Sequence, residues 1–302
     1  MPSYVYFKKQ LVPLDKAGLG VMTHCFHYGT AVFEGIRGNW NGDRGQLYLF
    51  RLKEHYERLL NGCRILKSEL PYTVSELCQI TVDLVNKCGF KEDIYVRPVA
   101  YKSSEAIGVR LHNLETDFLV FAFPWGPYLD MDGARCCLSS WRRPGETPRA
   151  KISGLYVNNA LAKTEAIENG FNEAIMLTPE GYVCEGSGEN IFIVSNGKLI
   201  TPGTDDVMLV GITRDAVMQM AWDELGLETV ERHIDRSELY TAGECFLTGT
   251  AANITPVTEI DRRKIGGGEV GEITAKLQKI YFDVIQGKES KYFEWCTPVF
   301  KR

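Results

Sequence analysis

Two glycine- and threonine-containing segments of this sequence have the composition of anion-binding sites. The segment 211–215 (GITRD) opens a predicted helix, and the free backbone N–H groups and hydroxyl at such a start can bind an anion. The segment 248–252 (TGTAA) directly follows a predicted strand, where its backbone N–H groups can face a phosphate or a carboxylate. Either segment alone is more often a helix cap or a tight turn, so neither identifies a site by itself.

Two further features place charges beside small or aromatic residues. The segment 184–190 (CEGSGEN) sets two acids among glycines that would let a flat ligand come close, although a solvated acidic loop is about as common. Tyr95 and Arg97 point the same way on one strand, since side chains alternate along a strand. A buried Arg is costly unless it meets an anion, and a structural ion pair is the commoner case. All four features fit a phosphate-bearing small ligand.

Other patterns fail on their context. The segment 266–271 (GGGEVG) fits a dinucleotide fingerprint, but a charged stretch precedes it and too little chain follows, so we expect a glycine-rich turn before a helix. His24 and His27 lie three residues apart without further ligands at matching spacing, so no metal site is expected. The sequence contains no G-x-S-x-G, P-loop or H-E-x-x-H motif, which excludes the hydrolases, kinases and metalloproteases that these motifs mark.

The composition is that of an ordinary globular protein with two domains. The chain has 302 residues, 44% hydrophobic and 24% charged, and its 34 basic and 39 acidic residues give a net charge of −5. The acidic balance without blocks of like charge argues against nucleic-acid binding. No segment approaches the ~18 apolar residues of a membrane span, and no secretory signal is recognisable. The nine cysteines form no C-x-x-C pair, so we expect reduced thiols in a cytoplasmic protein.

The elements that must position these residues are of mixed type in both halves, which predicts an α+β fold. Strands are expected at 3–8, 46–51, 94–101, 117–123, 134–141 and 244–248, with helices at 52–67, 73–89, 155–169, 212–225 and 271–286. Two hairpins are expected in the second half, and Asn196-Gly197 is the type I′ signal in one of them. Hairpins argue against a doubly wound parallel sheet. The Pro- and Gly-rich stretch at 124–134 is the predicted linker, between a small domain at 1–123 and a large domain at 135–302.

Taken together, the motifs resemble those of class IV pyridoxal-phosphate aminotransferases, and among these the branched-chain amino acid aminotransferases. The similarity extends from about His24 to Phe282. The matching segments, in fixed order, are HYGTAVFEGIR (27–37), RLKEHYERL (51–59), YVRP (95–98), FAFPWGPY (121–128), RAKISG (149–154), EAI (173–175), EGSGENIF (185–192), GITRD (211–215) and LTGTAANITPV (247–257). The resemblance implies a D-amino acid aminotransferase-like fold with mostly antiparallel strands and hairpins.

The resemblance also implies a role for each site residue. Lys151 matches the lysine that binds pyridoxal 5′-phosphate covalently and moves a proton, and Glu185 matches the acid that pairs with the pyridine nitrogen. Tyr156 matches the residue that hydrogen-bonds the ring hydroxyl. The phosphate cup is matched by Arg58, Ile212, Thr213 and Thr250. The substrate pocket is matched by Tyr28, Phe33, Tyr95, Arg97, Trp125 and Tyr128, with Thr250 and Ala251 at the α-carboxylate.

The implied activity is transfer of the amino group of leucine, isoleucine or valine to 2-oxoglutarate, giving glutamate, by a ping-pong route. A homodimer, or a higher homo-oligomer of dimers, is implied, with the segment 101–113 as the loop that completes the partner's pocket. Val210 and Asn253 stand where the family often has proline and glutamate, and the segment from Glu289 onward has no clear counterpart. The alternatives are an (R)-amine or D-amino acid aminotransferase of the same fold, and a non-catalytic protein that binds a phosphate ligand. The presence of both Lys151 and Glu185 argues against the last.

Overall fold

The protein, described here by a computed structural model, forms two compact units. The structure describes residues 4–126, 129, 131–145, 149–205 and 207–300. The first unit consists of Met1–Gly126, Ala150–Leu155 and Asp283–Arg302, and the second of Pro127–Arg149 and Tyr156–Phe282. The first unit therefore contains two segments beyond residue 126, whereas the predicted small domain ended at residue 123. The predicted division into a small domain at 1–123 and a large cofactor-binding domain at 135–302 stays a prediction.

Strands and helices alternate irregularly along the described residues. The strands are β1 (Tyr4–Phe7), β2 (Gln10–Pro13), β3 (Ala31–Phe33), β4 (Ile36–Asn41), β5 (Gln46–Phe50), β6 (Ile94–Lys102), β7 (Thr116–Pro124), β8 (Ala134–Arg142), β9 (Glu173–Leu177), β10 (Val183–Gly186), β11 (Asn190–Ser195), β12 (Lys198–Thr201), β13 (Thr229–Glu231), β14 (Glu244–Gly249), β15 (Asn253–Ile260), β16 (Arg263–Lys264) and β17 (Cys296–Pro298). The α-helices are α1 (His24–Tyr28), α2 (Leu52–Ile65), α3 (Val74–Cys88), α4 (Tyr156–Glu168), α5 (Ile212–Leu225), α6 (Arg236–Leu239) and α7 (Glu272–Ile285). Short 3-10 helices occupy Leu14–Lys16, Ser153–Leu155 and Ser290–Trp295.

The first unit is built on an antiparallel sheet with the order β17-β5-β4-β6-β7-β1-β2, and β3 pairs with β6 beside it. Helices α2 and α3 pack on this sheet, because their apolar stripes are buried with the side chains of β4 to β7. Five of these side chains are at most 1% exposed: Leu52, Tyr56 and Leu59 of α2, and Leu77 and Leu84 of α3. Burial of that apolar area is the main term that stabilises the unit.

The second unit contains a mixed sheet in the order β10-β9-β8-β15-β14-β11-β12-β13, with β16 paired to β15. Most of its neighbours are antiparallel, while β8 runs parallel to both β9 and β15, and β12 runs parallel to β13. Its core is formed by aliphatic side chains of these strands. The two sheets with their helices confirm the predicted α+β fold class.

The helix cap and the hairpin turn that the sequence predicted are both present in the structure. Thr73 accepts a hydrogen bond from the backbone of Glu76 while the Glu76 side chain accepts from that of Thr73, and α3 ends before Gly89 in the left-handed conformation. Asn196 and Gly197 both have positive φ (51° and 72°), as a type I′ hairpin requires, and they join β11 to β12. The 266–271 segment lies in the turn before α7, as expected.

The C-terminal segment has a structural role that the sequence did not indicate. β17 forms the edge of the first unit's sheet, with Cys296 opposite Phe50, and the Gln46 side chain hydrogen-bonds the backbone of Phe300 in both directions. A three-residue strand has too few residues for an alternating pattern, so only its partner strand reveals it.

All nine cysteines are free thiols, five of them buried. No helix in the described part of the chain has the length and apolar character to cross a bilayer.

Candidate active site

In the first unit, Lys151 lies in a short segment held against β3. Its carbonyl oxygen accepts a hydrogen bond from the Phe33 backbone at 3.0 Å, and its Nζ lies 5.0 Å from the centre of the Phe33 ring. Further along, the backbone of Gly154 donates to the Gly29 carbonyl at 3.1 Å. A Cβ on Gly29 would lie 2.6 Å from the Gly154 Cα, so this contact requires glycine. The half-buried amine of Lys151 thus projects from a segment whose backbone is fixed at both ends.

Arg58 is held by a buried carboxylate. Its Nε and Nη2 donate to the two oxygens of Glu34 at 2.6 and 2.8 Å, and Nδ1 of His55 donates to Glu34 at 2.8 Å. Burial alone would raise the pKa of Glu34, but the charge and hydrogen bonds of Arg58 and His55 outweigh it and hold that pKa well below its usual range. The guanidinium predicted for the phosphate cup is therefore fixed in orientation by an ion pair.

Two aromatic side chains lie beside Arg97, and one of them is Tyr95, which strand alternation predicted to point the same way. Its guanidinium carbon lies 4.8 Å from the centre of the Phe33 ring and 5.2 Å from that of Tyr95, and Nη2 donates a long hydrogen bond (3.4 Å) to the Tyr95 hydroxyl. Tyr95 in turn meets Trp125 edge-to-face at 4.5 Å. Within the described residues, the buried Nε of Arg97 has no hydrogen-bond acceptor. Tyr128, the remaining predicted wall of the pocket, lies outside the described residues.

Tyr28 anchors the loop that follows β6. Its hydroxyl accepts a hydrogen bond from the Gly108 backbone at 2.9 Å, and Nε2 of the buried His24 donates to the Gly108 carbonyl at the same distance. Nδ1 of His24 is hydrogen-bonded to Thr30. His24 and His27 thus make hydrogen bonds within the chain, and the described residues include no group of three or more potential ligands that could hold a metal ion.

In the second unit, Glu185 is a buried carboxylate with partners on both oxygens. Oε1 lies 2.6 Å from Nε of Arg143, and Oε2 accepts from the backbone of Leu209 (3.2 Å) and from Asn190 (3.4 Å). Arg143 is itself buried and donates to Asn159 at 3.2 Å. A charge held in this way can pair with a cationic ring nitrogen and still be oriented by the protein.

The start of α5 has features that favour an anion. No side chain caps this helix at Gly211, while Ile212 and Thr213 occupy its first turn and are buried. A Cβ on Gly211 would lie 1.9 Å from Oδ1 of Asn190, so the close approach of this side chain requires glycine. Free N–H groups and the positive end of the helix dipole attract a negatively charged group.

The other predicted anion-binding segment is the tight turn between β14 and β15. Gly249 pairs with Asn253, whose φ of 57° closes the turn, and Thr250 and Ala251 are half-buried at its tip. A Cβ on Gly249 would lie 3.4 Å from the Gly188 carbonyl, so this turn lies alongside the acidic segment 185–189. Tyr156 is half-buried and is the first residue of α4.

Glu189 carries the other carboxylate of the acidic segment, and it is buried. Burial, with the neighbouring charge of Glu173, raises the pKa of Glu189 to about 8. Its Oε2 accepts a hydrogen bond from the backbone of Gly188 at 3.1 Å, which opposes the shift. The two acids of this segment therefore have different electrostatic surroundings. Arg143 contacts Glu185 directly, whereas the strongest charge effect on Glu189 comes from another acid, Glu173.

Sequence reasoning missed the residues that hold the predicted ones in place. These partners are Glu34, His55, Arg143, Asn159 and Asn190. Arg143 lies in the polar run RRPGETPR (142–149), and nothing in that run distinguishes an inward-pointing arginine from a solvated one. For Glu34, a lone acid in the apolar run 31–36 was a usable signal, because a buried acid requires a partner.

Comparisons with known proteins all give the same family. Residues 31–260 match the profile described as amino-transferase class IV. A probable branched-chain-amino-acid aminotransferase of Aquifex aeolicus (strain VF5) is 49% identical over 99% of this chain and 97% of its own length. Two solved structures of branched-chain aminotransferases superpose closely. That from Thermoproteus uzoniensis with norvaline has a TM-score of 0.95 at 45% identity, covering 99% of this chain and 100% of its own. That from Thermobaculum terrenum, in its PLP-bound holo form, has a TM-score of 0.95 at 39% identity, covering 99% of each chain.

Proposed function

This chain belongs to the class IV aminotransferases, and we propose that it is a pyridoxal-phosphate-dependent branched-chain amino acid aminotransferase. The observation that carries the proposal is the likeness, over nearly the whole chain, to proteins named for that activity. The cofactor named for the Thermobaculum terrenum structure fits the same reaction. As the acceptor we propose 2-oxoglutarate, which becomes glutamate.

Each unit contributes residues whose chemistry suits one part of such a cofactor. We assign its covalent attachment to Lys151, the contact with its pyridine nitrogen to Glu185 and the contact with its ring hydroxyl to Tyr156. The phosphate is assigned to Arg58, to the start of α5 at Ile212 and Thr213, and to Thr250. The uncapped helix start is a feature that an anion would satisfy, and Glu34 already sets the direction of the Arg58 guanidinium.

Each assigned residue would have its own role in the amino-transfer reaction. When bound, the cofactor supplies an aldehyde for the substrate's amino group and a protonated ring that accepts electrons from the substrate Cα. Lys151 would move the proton at that carbon. Glu185 keeps the ring nitrogen protonated. Thr250 and Ala251 bind the α-carboxylate through backbone N–H groups.

Substrate choice is assigned to the aromatic residues around Arg97. Phe33, Tyr95 and Trp125, with Tyr28, would give apolar walls that suit leucine, isoleucine or valine, and the resemblance assigns Tyr128 to the same pocket. Arg97 gives the cation that 2-oxoglutarate requires, and the Tyr95 hydroxyl and the faces of two rings stabilise its charge when an apolar substrate is bound. One set of residues would thus accept both substrates of a ping-pong reaction.

A donor panel tests this proposal against its alternatives. Purified protein would be loaded with pyridoxal phosphate and assayed with L-leucine, D-alanine and an (R)-amine, each with 2-oxoglutarate. We expect glutamate to form rapidly with L-leucine alone. Preference for D-alanine or the (R)-amine would establish one of the same-fold alternatives. Cofactor binding without transfer from any donor would establish a non-catalytic binding protein.

We also propose a homodimer, supported by an apolar surface of the first unit. Val21, Phe26, Ile107 and Val109 are exposed, with Val109 91% and Phe26 77% accessible, and the hydrogen bonds at Gly108 hold the loop 103–115 to α1. Exposed apolar groups clustered in this way mark an interaction surface. Light scattering should give twice the chain mass, and Val109→Glu should weaken the dimer while Trp222→Glu, at an exposed apolar residue of the second unit, should not. An active monomer at assay concentration would exclude the dimer.

The cytoplasm is the proposed location. Its support is that none of the nine cysteines forms a disulfide within the chain, which is typical of proteins in a reducing compartment. Fractionation with a marker for each compartment tests it, and recovery with the exported proteins would contradict it.

A further inference from the structure

Arg143 is buried without belonging to any assigned part of the site. It follows β8 and is only 2% exposed, and its backbone N–H donates to the Leu177 carbonyl at 3.1 Å. Its side chain points into the second unit, where Nη1 donates to Oδ1 of Asn159 at 3.2 Å. The Asn159 amide donates in turn to the Ser187 carbonyl at 2.6 Å. The guanidinium is thus held in one orientation by a chain of hydrogen bonds.

In this orientation the guanidinium of Arg143 contacts one carboxylate oxygen of Glu185. Nε of Arg143 lies 2.6 Å from Oε1, whereas Oε2 accepts from neutral donors, the Leu209 backbone and the Asn190 amide, at 3.2 and 3.4 Å. The short contact with a full cation is on one side of the carboxylate. The hydrogen bonds from Leu209 and Asn190 to the other oxygen are longer, and a carboxylate oxygen can accept more than one donor, including a charged one.

The charge of Arg143 affects whether a proton shared between Glu185 and a pyridine nitrogen resides on the carboxylate or on the ring. A carboxylate facing a pyridine nitrogen can form an ion pair, with the proton on the ring, or a neutral pair, with the proton on the acid. A buried site disfavours the ion pair, because both charges lose hydration. A cation on the far side of the carboxylate stabilises its charged form more than it repels the ring, since it lies nearer to the carboxylate.

We propose that Arg143 is a positioning residue for Glu185, which keeps this carboxylate ionised and turned so that the proton of the pair stays on the cofactor ring. The inference rests on the proposed function, because it requires a pyridine nitrogen opposite Glu185. Asn159 supports it by fixing the guanidinium. Arg143 itself touches neither substrate nor cofactor in this assignment.

A double-mutant cycle separates this role from simple stabilisation. Arg143→Met and Glu185→Gln would be made singly and together, and the single-turnover rate of the leucine half-reaction measured for each. If Arg143 acts through Glu185, Arg143→Met should slow the wild-type reaction by about tenfold or more, yet change the Glu185→Gln reaction by no more than about threefold. Losses that multiply in the double variant would mean that Arg143 is only structural, and the inference would be overturned.

The absorbance of the bound cofactor gives a second readout that needs no turnover. Protonation of the ring nitrogen changes this spectrum, so the pH at which the spectrum of Arg143→Met changes should differ from that of the wild type. Arg143→Lys, which keeps the charge but loses the fork, should restore part of the difference. Asn159→Ala should move the spectrum in the same direction by a smaller amount. Spectra of all variants that titrate like the wild type would contradict the proposal.

Lys163→Met is the matched control. It breaks another ion pair of the second unit, in which the half-buried Lys163 lies 2.6 Å from the buried Glu173. We expect it to lower the melting temperature without changing the spectral titration. If Arg143→Met does not fold, Arg143→Lys and Asn159→Ala still decide the question. A wild-type protein that neither binds pyridoxal phosphate nor transfers amino groups would refute the proposed function instead.

Discussion

Nε of Arg58 lies 2.6 Å from one oxygen of Glu34, and Nη2 lies 2.8 Å from the other. This two-bond contact is buried, and it fixes the plane of a guanidinium that the proposed function requires for binding a phosphate. Glu34, which positions this cation, lies in the segment 27–37 that matches the family, but the sequence alone assigned no role to it. The second unit has a buried ion pair with a single close contact, in which Nε of Arg143 lies 2.6 Å from one oxygen of Glu185.

Glu34→Gln should reduce both stability and cofactor affinity. Because the pKa of Glu34 is held below its ordinary value of 4.5, this carboxylate stabilises the folded state above that value and stops doing so as the pH falls through the depressed pKa. Removing one partner of a buried ion pair costs about 3–5 kcal/mol. Denaturant unfolding from neutral to acid pH should show the difference between wild type and variant shrinking at low pH. A difference that stays constant with pH would contradict this account.

Lys151→Ala should abolish transamination while leaving the fold intact. Only a half-buried side chain is lost, and the hydrogen bond between the Phe33 and Lys151 backbones remains. The assay is glutamate formation from leucine and 2-oxoglutarate, with circular dichroism to check folding. Lys198→Ala, at an exposed position, is the control and should keep full activity. Near-normal transfer by Lys151→Ala would remove Lys151 from its assigned role.

Glu185→Gln should slow proton transfer far more than it weakens cofactor binding. The neutral amide cannot keep the ring nitrogen protonated, whereas the contacts proposed for the phosphate are unchanged. We expect the leucine half-reaction to slow by about a hundredfold or more, the scale for loss of one preorganised electrostatic contact. Stopped-flow absorbance gives the rate and equilibrium dialysis gives the affinity. An unchanged rate at full cofactor occupancy would exclude this role.

Arg97→Leu should affect one half of the reaction. Its guanidinium is the cation among the aromatic residues that can bind the second carboxylate of 2-oxoglutarate, so binding of this substrate should weaken by about 2–4 kcal/mol. The half-reaction with leucine should change much less, because the aromatic walls are retained. Single-turnover measurements of each half-reaction give the comparison. Equal losses in both would mean that Arg97 is structural.

Glu189→Gln should remove a pH dependence of stability. With a pKa raised from 4.5 to about 8, the carboxyl stabilises the fold fully below about pH 4.5, and that contribution is lost as the pH rises through about 8. The charged groups that face it are Glu173, Lys163 and Glu185. The wild type should therefore lose on the order of a few kcal/mol relative to the variant across this range, at about 1.4 kcal/mol per pKa unit. Unfolding curves that shift in parallel with pH for both proteins would argue against a buried, protonated Glu189.

Much of the fold was predicted from the sequence because its signals are local. Periodic apolar residues predicted α2, the Thr73 and Glu76 pair predicted the start of α3, and Asn196-Gly197 predicted the hairpin of β11 and β12. Each depends on residues a few positions apart, whose preferences operate before distant parts of the chain meet. The short strands β3, β13 and β17 were missed, because three residues show no periodicity and their partners are distant in sequence.

The same distinction between local and long-range information applies to the candidate site. The sequence by itself determined the family, and it predicted the lysine, the acids and the anion-binding turns, since each lies in a contiguous motif. Only the tertiary structure decided which polar groups hold them: Glu34 on Arg58 across 24 residues, and Arg143 on Glu185 across a separation of 42 in sequence. A buried charge requires some partner, but which side chain supplies it depends on where the strands and helices bring distant segments together.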